Sequence, residues 1–426
     1  MATPTSIVDG LVDDPASLVD VALELLTVDT SNPPGDTREI VALLESYLAD
    51  SDIKTQQFAV DESKPNLLAT RPGKRETTLL FTGHLDTIPY DEEAWTHDPL
   101  GERAGDRIYG RGATDMKGAV AAMLMVARAF AEEDERPPVT LQFAFVSDEE
   151  VAGDAGLPAL LDVGHLDADA CVIGEPTCER GRHSVTVADR GSIWLTLEAT
   201  GEAAHGSRPM LGRNAIDRLW AAVEAVRTQL RERDLSLPSA VEQIVDESVE
   251  YYAPSMGADT ARRLFTHPTV NLGIIEGGES VNTVPQTARA QLDVRLTAGV
   301  DTEAVLADVR DCIVNHEGVT VADVSWSVGT YENLASPLVE SVAATAEDVT
   351  GDRIYRRSAT GGGDAKTLRN AGVPTVEFAL GTDTVHAPDE YITIDALLDN
   401  TRVYAGLPSA FATAVDESSD NSVQRG

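Results

Sequence analysis

The chain of 426 residues has very little lysine and few basic residues of any kind. Its 71 acidic residues outnumber its 33 basic residues, so the formal net charge is -38. Binding to nucleic acid or to an anionic membrane requires basic patches, so neither partner is expected. One interpretation is an ordinary acidic protein. The other, which we favour, is adaptation to molar salt, where a Debye length of about 3 Å screens the repulsion between surface carboxylates.

Cysteine is also scarce, and Cys171, Cys178 and Cys312 are unevenly spread along the chain. An odd number at this spacing predicts neither a disulfide framework nor a thiolate zinc site, and it favours a cytoplasmic location. The first residues, MATPTSIVDGLVDD, lack the basic and apolar segments of a signal peptide. No stretch approaches the ~20 apolar residues that a membrane-spanning helix requires.

The chain does contain enough apolar sequence for a globular protein of two domains, since 42% of its residues are hydrophobic. Strands alternate with helices up to residue 190, and this pattern returns after residue 330. It predicts an α/β domain, residues 1–190 and 331–426, with a central sheet flanked by helices. Residues 191–330 are predicted to form an inserted α+β domain with a β-α-β-β-α pattern.

Hydrophobic periodicity predicts the individual elements of both domains. The predicted helices cover residues 17–27, 38–49, 118–130, 214–231, 302–314 and 337–349. The predicted strands cover residues 66–70, 78–82, 140–147, 170–174, 192–200, 269–275, 288–296 and 375–379. The stretch between residues 231 and 269 is polar, and its pattern indicates an irregular region.

Five polar clusters follow predicted strands or turns, and active sites of open α/β sheets collect at the strand ends. The clusters are residues 83–87 (GHLDT), 110–118 (GRGATDMKG), 147–150 (SDEE), 174–177 (GEPT) and 385–390 (VHAPDE). Each cluster alone has a structural explanation, such as a helix cap or a solvated surface turn. Together they supply two histidines and several carboxylates, a mixture that suits Zn²⁺ or a similar ion. The ligands suffice for two ions, which would lie about 3.5–4 Å apart if they share a carboxylate.

In this order and spacing, the five motifs resemble the family that contains acetylornithine deacetylase, succinyl-diaminopimelate desuccinylase, aminoacylase and glutamate carboxypeptidase. The resemblance covers nearly the whole chain. It implies a metal-dependent catalytic domain with a mixed central sheet, and an inserted ferredoxin-like domain that serves as lid and dimer interface. A homodimer acting on a small N-acyl amino acid or short peptide is therefore expected.

The resemblance also implies the metal ligands. His84 and Glu175 would bind one ion, and Glu150 and His386 would bind the second. Asp115 would bridge both ions, with a cis peptide bond after it. Asp86 would orient His84 without binding metal. Zn²⁺ is the expected ion, and Co²⁺ and Mn²⁺ are alternatives.

The remaining roles that the resemblance implies are catalysis and substrate binding. Glu149 would be the general base, taking a proton from water and giving it to the leaving amine. His205 would stabilise the oxyanion, as a lid residue that often reaches across a dimer. Arg295 would bind the substrate carboxylate, Asn282 would contact the scissile region, and Gly362 would line the pocket. Two structural alternatives stay open: His205 as a surface turn residue, and Arg295 paired with an acid on its own strand.

Two activities would use the same residues. The favoured activity removes the acyl group from an N-acyl amino acid, as arginine or lysine biosynthesis requires. The segments GDAK and HAPDEY favour the acetylornithine deacetylase branch. A dipeptidase or carboxypeptidase with the same ions is the alternative. A non-catalytic relative that binds a metal or a partner is a remote third, because Glu149 and every ligand position are filled.

Overall fold

The computed structural model describes residue 10, residues 15–49 and residues 51–423 of the chain. The expectation about a signal peptide concerns residues that, apart from residue 10, lie outside this part. The chain divides into two compact units, and the second comprises Ala188–Tyr331 and Ser358–Gly362. The boundaries expected from the sequence differ from this division chiefly at Ser358–Gly362, which they left in the first domain.

The first unit is built on two sheets. Its strands are β1 (Lys54–Phe58), β2 (Asn66–Arg71), β3 (Thr78–His84), β4 (Glu102–Ala104), β5 (Arg107–Tyr109), β6 (Thr140–Val146), β7 (Ala170–Ile173), β8 (Cys178–Glu179), β9 (Arg182–Ala188), β14 (Ile354–Ser358), β15 (Thr375–Glu377) and β16 (Tyr391–Thr393). The large sheet has the order β1-β2-β6-β3-β7-β15-β9-β14, with β8 beside β9. A small sheet has the order β16-β5-β4.

The centre of the large sheet is parallel, and its margins are antiparallel. Strand β3 pairs in parallel with both β6 and β7, and β15 pairs in parallel with β7. Strand β2 is antiparallel to β6, and β9 is antiparallel to β15. The central strands are almost wholly buried, as continuous apolar runs covered on both faces require. Because they are parallel, the residues that follow β3, β6 and β7 meet at one edge of the sheet.

Helices flank this sheet, which confirms the α/β architecture expected from the sequence. They are α1 (Ala16–Thr27), α2 (Arg38–Leu48), α3 (Gly118–Glu132), α4 (Leu157–Asp162), α9 (Pro337–Thr350), α10 (Asp364–Asn370) and α11 (Ile394–Val423). Helix α3 is buried over nearly its whole length because its side chains are mostly alanine, valine and methionine. Among the helices of the described residues, none combines the length and the apolar character needed to cross a bilayer.

The second unit has one four-stranded antiparallel sheet with helices against it. Its elements are β10 (Gly191–Thr200), α5 (Ala215–Arg231), α6 (Ser239–Met256), α7 (Ala258–Thr266), β11 (Thr269–Gly277), β12 (Thr287–Leu296), α8 (Thr302–Val314) and β13 (Val319–Ser327). The strand order is β11-β12-β10-β13. Alternate residues of β10 and β12 share one apolar core with α5 and α8. Strand order and helix placement are those of a ferredoxin-like unit, which confirms the expected fold class.

Candidate metal centre

Polar side chains from five segments of the first unit meet at the edge where the parallel strands end. Three of the segments directly follow or end β3, β6 and β7, one lies between β5 and α3, and one precedes β16. All five expected ligands and the expected general base lie here: His84, Asp115, Glu149, Glu150, Glu175 and His386.

Asp115 lies between two histidines. Its Oδ1 is 3.1 Å from Nε2 of His84, and its Oδ2 is 3.2 Å from Nε2 of His386. Nε2 of His84 also lies 3.4 Å from Oε1 of Glu175, and Nε2 of His386 lies 3.2 Å from Oε2 of Glu150. The side chains therefore form two donor groups, each with one histidine and one glutamate, that share the carboxylate of Asp115.

Glu149 lies against the first donor group. One ligand atom from each of His84, Glu149 and Glu175 lies within 4.8 Å of the other two, and His84, Asp115 and Glu150 form a second such group. Burial raises the pKa of Glu149, the charge of His84 opposes this shift, and the neighbouring carboxylates add to it. A half-buried carboxyl with a raised pKa is suited to accept and return a proton.

The ring of His84 is oriented by the backbone. Its Nδ1 lies 2.8 Å from the carbonyl oxygen of Asp86, so Nδ1–H donates there and Nε2 faces the donor groups. The Asp86 carboxylate is 3.7 Å from the same nitrogen. It accepts instead from the backbone N–H groups of Glu149 and Glu150, both at 3.1 Å. The resemblance implied that Asp86 orients His84. In the structure its backbone carbonyl holds the ring, and its carboxylate holds the turn of the two glutamates.

The centre concentrates negative charge, and its histidines respond to it. Burial alone would lower the pKa of His84, but the hydrogen bond with Asp115 and the charge of Glu175 raise it well above its ordinary value. Hydrogen bonds with Asp115 and Glu150 raise the pKa of His386 to about 10. Burial and the charge of Asp115 raise the pKa of Glu175 well above its usual range. A cation at this centre would offset the repulsion between its carboxylates.

The residues present fit divalent metal ions. Two imidazoles and three carboxylates are the donors that zinc and similar ions prefer. In addition, Oε1 of Glu150 is buried and has no hydrogen-bond partner among the described residues. A buried carboxylate oxygen of this kind requires a partner, and a metal ion would provide one. The peptide bond between Asp115 and Met116 is cis, as the resemblance implied.

A buried polar network behind the centre was not anticipated from the sequence. The Nδ2 of Asn32 donates to the carboxylates of Asp86 (2.9 Å) and Asp148 (3.0 Å), and Lys64 forms an ion pair with Asp148. Asn32 stands in the turn SNPPG, in which the bonds before Pro33 and Pro34 are both cis. The proline pair indicated a turn but gave no sign that its asparagine reaches two carboxylates of the site.

The second unit carries four of the expected functional residues: His205, Asn282, Arg295 and Gly362. His205 is exposed, with Ser207 Oγ 2.9 Å from its Nδ1, and it lies beside Asn282 because Gly206 N donates to Asn282 O at 2.6 Å. Arg295 pairs with an acid on its own strand, through Nε to Oδ1 of Asp293 at 2.7 Å and Nη2 to Oδ2 at 3.1 Å.

Gly362, the third expected substrate-binding residue, is exposed and also belongs to the second unit. In the first unit, the next glycine is close to the candidate base. A Cβ placed on Gly363 would lie 3.2 Å from Oε1 of Glu149, so a side chain there would crowd that carboxylate.

Comparisons with known proteins agree with this geometry. The model of the family described as Peptidase family M20/M25/M40 matches residues 80–410. A succinyl-diaminopimelate desuccinylase from Rhodospirillum centenum is 30% identical over 349 residues, which cover 80% of this chain and 83% of the relative. One from Sphingopyxis alaskensis is 30% identical over 413 residues, which cover 91% and 97%.

Solved structures show the same fold. An M20 family metallo-carboxypeptidase from Sulfolobus solfataricus superposes with a TM-score of 0.75 at 20% identity, covering 93% of this chain and 99% of the other. An aminopeptidase from Bacillus cereus superposes with a TM-score of 0.71 at 21% identity, covering 93% and 98%. At these identities the likeness concerns the architecture.

Proposed function

Since the chain belongs to peptidase family M20/M25/M40 and is therefore an enzyme that hydrolyses amide bonds, we propose that it removes the acyl group from an N-acyl amino acid. The first candidate substrate is N-succinyl-diaminopimelate, because the two curated relatives compared above carry the desuccinylase name. This choice replaces the preference for the deacetylase branch that the sequence segments favoured. The observation that carries the proposal is the meeting of two donor groups and Glu149 at one sheet edge.

Two divalent ions, with Zn²⁺ as the first candidate, belong to this proposal. His84, Glu175 and Asp115 would hold one ion, and His386, Glu150 and Asp115 would hold the other, since the distances already group these atoms. When bound, the ions supply Lewis acidity that acidifies water and polarises a carbonyl group. Asp86 would not bind metal. It would support the site indirectly, because its carboxylate fixes the turn that carries Glu149 and Glu150.

Glu149 is the residue that would move the proton. Its carboxylate would accept a proton from the attacking water and later give that proton to the leaving amine. Burial raises the pKa of Glu149, and this supports the role because a general base works best when its pKa is closer to neutral pH. Glu149 also has its backbone N–H tied to Asp86 at 3.1 Å, which limits the positions its side chain can reach.

Residues of the second unit would recognise the substrate. We assign oxyanion stabilisation to His205, supported by its exposed imidazole beside Asn282, which would contact the scissile region. Arg295 would bind the substrate carboxylate. Its pairing with Asp293 uses Nε and Nη2, so Nη1 of the guanidinium can donate to a second carboxylate. Gly362 would line the pocket.

The oligomer and the location complete the proposal. A homodimer is supported by β11, an edge strand of the second unit that exposes Ile274 and Ile275, because such an edge can pair with another strand. Light scattering of the purified protein, compared with an Ile275→Lys variant, tests this. A cytoplasmic location is supported by the three cysteines, all of which are free thiols.

A substrate panel tests the function. The protein, loaded with Zn²⁺ in molar salt, is given N-succinyl-diaminopimelate, N-acetylornithine, simple N-acetyl amino acids and dipeptides, and released amine is measured. We expect the succinyl substrate to have the highest kcat/KM. Preference for an N-acetyl substrate would move the protein to the deacetylase branch. Preference for dipeptides would contradict the proposed deacylase and identify a peptidase.

A further inference from the structure

The carboxylate of Glu390 contacts the turn that carries Asp115 and an arginine that reaches the turn of His386. We propose that Glu390 is a positioning residue that couples the two metal sites. The inference rests on the proposed function only in that it takes the two donor groups as metal sites. It adds a residue that touches neither the metals nor the substrate and that acts through Asp115 and His386.

Four donors converge on this one carboxylate. Oε1 accepts from the backbone N–H groups of Thr114 (2.9 Å) and Asp115 (3.0 Å). Oε2 accepts from the backbone N–H of Gly112 (3.1 Å) and from Nη1 of Arg111 (2.5 Å). Glu390 has no solvent exposure. Because charged, buried hydrogen bonds are the strong ones, this carboxylate determines where the whole turn lies.

The backbone of the turn explains why it needs such an acceptor. Asp115 is extended, with φ -129° and ψ 89°, so the turn lacks the regular bonds of a helix. Gly112 has φ 89°, and a Cβ there would meet the methyl group of Thr87 at 2.7 Å. In this conformation the N–H groups of Gly112, Thr114 and Asp115 point towards one place, where an anionic acceptor is favourable. Glu390 fills that place from within the chain.

Arg111 extends the connection to the second donor group. Its Nη2 donates to the backbone carbonyls of Ala387 at 3.2 Å and His386 at 3.5 Å. His386 has φ 61°, a left-handed conformation that is uncommon for a residue with a side chain. The guanidinium of Arg111 is itself buried and lies over the ring of Trp95. One carboxylate thus ties down Asp115 directly and the backbone of His386 through Arg111.

The two connections predict unequal effects on the two ions. The ion held by His84, Glu175 and Asp115 depends on Glu390 only through Asp115. The ion held by His386 depends on it twice, through Asp115 and through the turn that Arg111 holds. Loss of the carboxylate should therefore weaken both ions and weaken the ion at His386 more.

The test is a metal titration that needs no turnover. Metal-free protein in molar salt is titrated with Zn²⁺ against a competing chelator, and with Co²⁺ by its visible absorption. In the Glu390→Gln variant, an amide NH₂ would replace one oxygen and face N–H donors. We expect the ion at His386 to bind roughly 10–100-fold more weakly, as is usual for residues that orient ligands, with a smaller change for the other ion.

An Arg111→Lys variant separates the two connections. A lysine keeps the charge but has no planar fork, so it cannot reach Glu390 and both carbonyls together. We expect it to weaken the ion at His386 while the other ion keeps nearly its wild-type affinity. This variant also keeps the proposal testable if Glu390→Gln fails to fold.

The matched control is Glu332→Gln. Glu332 is a half-buried carboxylate of the same unit that accepts from Thr375 N at 3.0 Å and lies 3.7 Å from Arg369, far along the chain from both turns. It should leave both affinities unchanged. Wild-type affinity for both ions in Glu390→Gln, or an equal loss of both ions in Arg111→Lys, would overturn the coupling. If wild type binds two ions yet releases no amine from any substrate, the proposed function fails and the coupling is still judged by the titration.

Discussion

The Nδ1–H of His84 donates to the backbone carbonyl of Asp86, whereas the carboxylate of Asp86 turns towards another segment. A backbone oxygen therefore fixes the tautomer of His84, and no substitution at residue 86 removes that atom. The carboxylate is left to hold the N–H groups of Glu149 and Glu150 at 3.1 Å each. Orientation of the ligand and orientation of the base are thus separate functions of one residue.

An Asp86→Asn variant should therefore keep the ion at His84 but turn over more slowly. An amide NH₂ in place of one oxygen would face an N–H group of the glutamate turn or Nδ2 of Asn32. We expect kcat to fall roughly 10–100-fold, the effect typical of supporting residues. Asp169→Asn is the control, since Asp169 accepts from Thr78 N at the opposite end of β3. Loss of the ion at His84 would show that the carboxylate, not the carbonyl, orients the ring.

Replacing Glu149 by glutamine should abolish turnover and leave the metal content at two ions. The amide keeps the size of the side chain but cannot accept a proton, and general bases contribute roughly 10²–10⁴-fold. Turnover and metal content, measured by elemental analysis, must be determined on the same sample. Because Glu149 lies within 4.8 Å of the ligand atoms of His84 and Glu175, loss of an ion would identify it as a ligand instead. Undiminished turnover would contradict its role as base.

Metal binding should release protons at neutral pH. Hydrogen bonds with Asp115 and Glu150 raise the pKa of His386 to about 10, so its ring is protonated in the metal-free protein at pH 7.5. Metal ligation requires the neutral ring, so metal binding should displace about one proton from His386. Calorimetric titration with Zn²⁺ in buffers of different ionisation enthalpy measures the number. A binding heat that does not depend on the buffer would show that His386 is neutral beforehand.

Much of the site could be predicted from the sequence because apolar strands end abruptly in polar motifs. In LLFTGH and LQFAFVSDEE the buried run stops where the ligands begin, and parallel pairing brings such ends together. The position of Glu390 in the site could not be predicted. Its motif, VHAPDE, predicts a metal ligand at His386 but no role for Glu390. The carboxylate of Glu390 binds a turn about 275 residues away in sequence. Only tertiary packing decides that contact.

Some helices and strands could not be predicted from the sequence, because their own residues give a weak pattern. Helix α6 (Ser239–Met256) buries Val241, Ile244, Val245 and Val249, which have helical spacing, but acidic residues between them and Pro254 near its end obscure the pattern. Strands β1 and β13 lie at sheet margins and are largely exposed, so they lack the apolar runs that identified the central strands. Their pairing comes from the neighbouring strand and not from their own composition.

Arg295 should affect substrate binding more than the chemical step. If it binds the substrate carboxylate, Arg295→Met should raise KM by at least about 10-fold, since a charged hydrogen bond contributes roughly 1.5–3 kcal/mol. Asp293→Asn is the matched variant, because it removes the partner that Arg295 bonds at 2.7 Å and 3.1 Å. It should leave KM unchanged or lower it. Equal losses of stability with unchanged KM in both variants would show that the pair only supports the strand.

The stability of the protein should depend on salt. A net charge of -38 on 426 residues repels itself, and the Debye length grows from about 3 Å at 1 M to about 10 Å at 0.1 M salt. We therefore expect the unfolding temperature to fall progressively as KCl is reduced from molar to 0.1 M. Circular dichroism at each concentration measures this, with EDTA-treated protein run in parallel to separate metal loss from charge repulsion.

Screening must also be separated from the exclusion of salt from the protein surface. Sulfate strengthens the burial of apolar surface in addition to screening charge, whereas chloride mainly screens. If repulsion between carboxylates is the cause, KCl and potassium sulfate at equal ionic strength should restore folding nearly equally at low concentrations. Restoration by sulfate alone would show that the protein unfolds at low salt because its apolar burial is insufficient, and not because its carboxylates repel each other. Unchanged folding at 0.1 M KCl would contradict adaptation to molar salt. It would favour the alternative interpretation, an ordinary acidic protein.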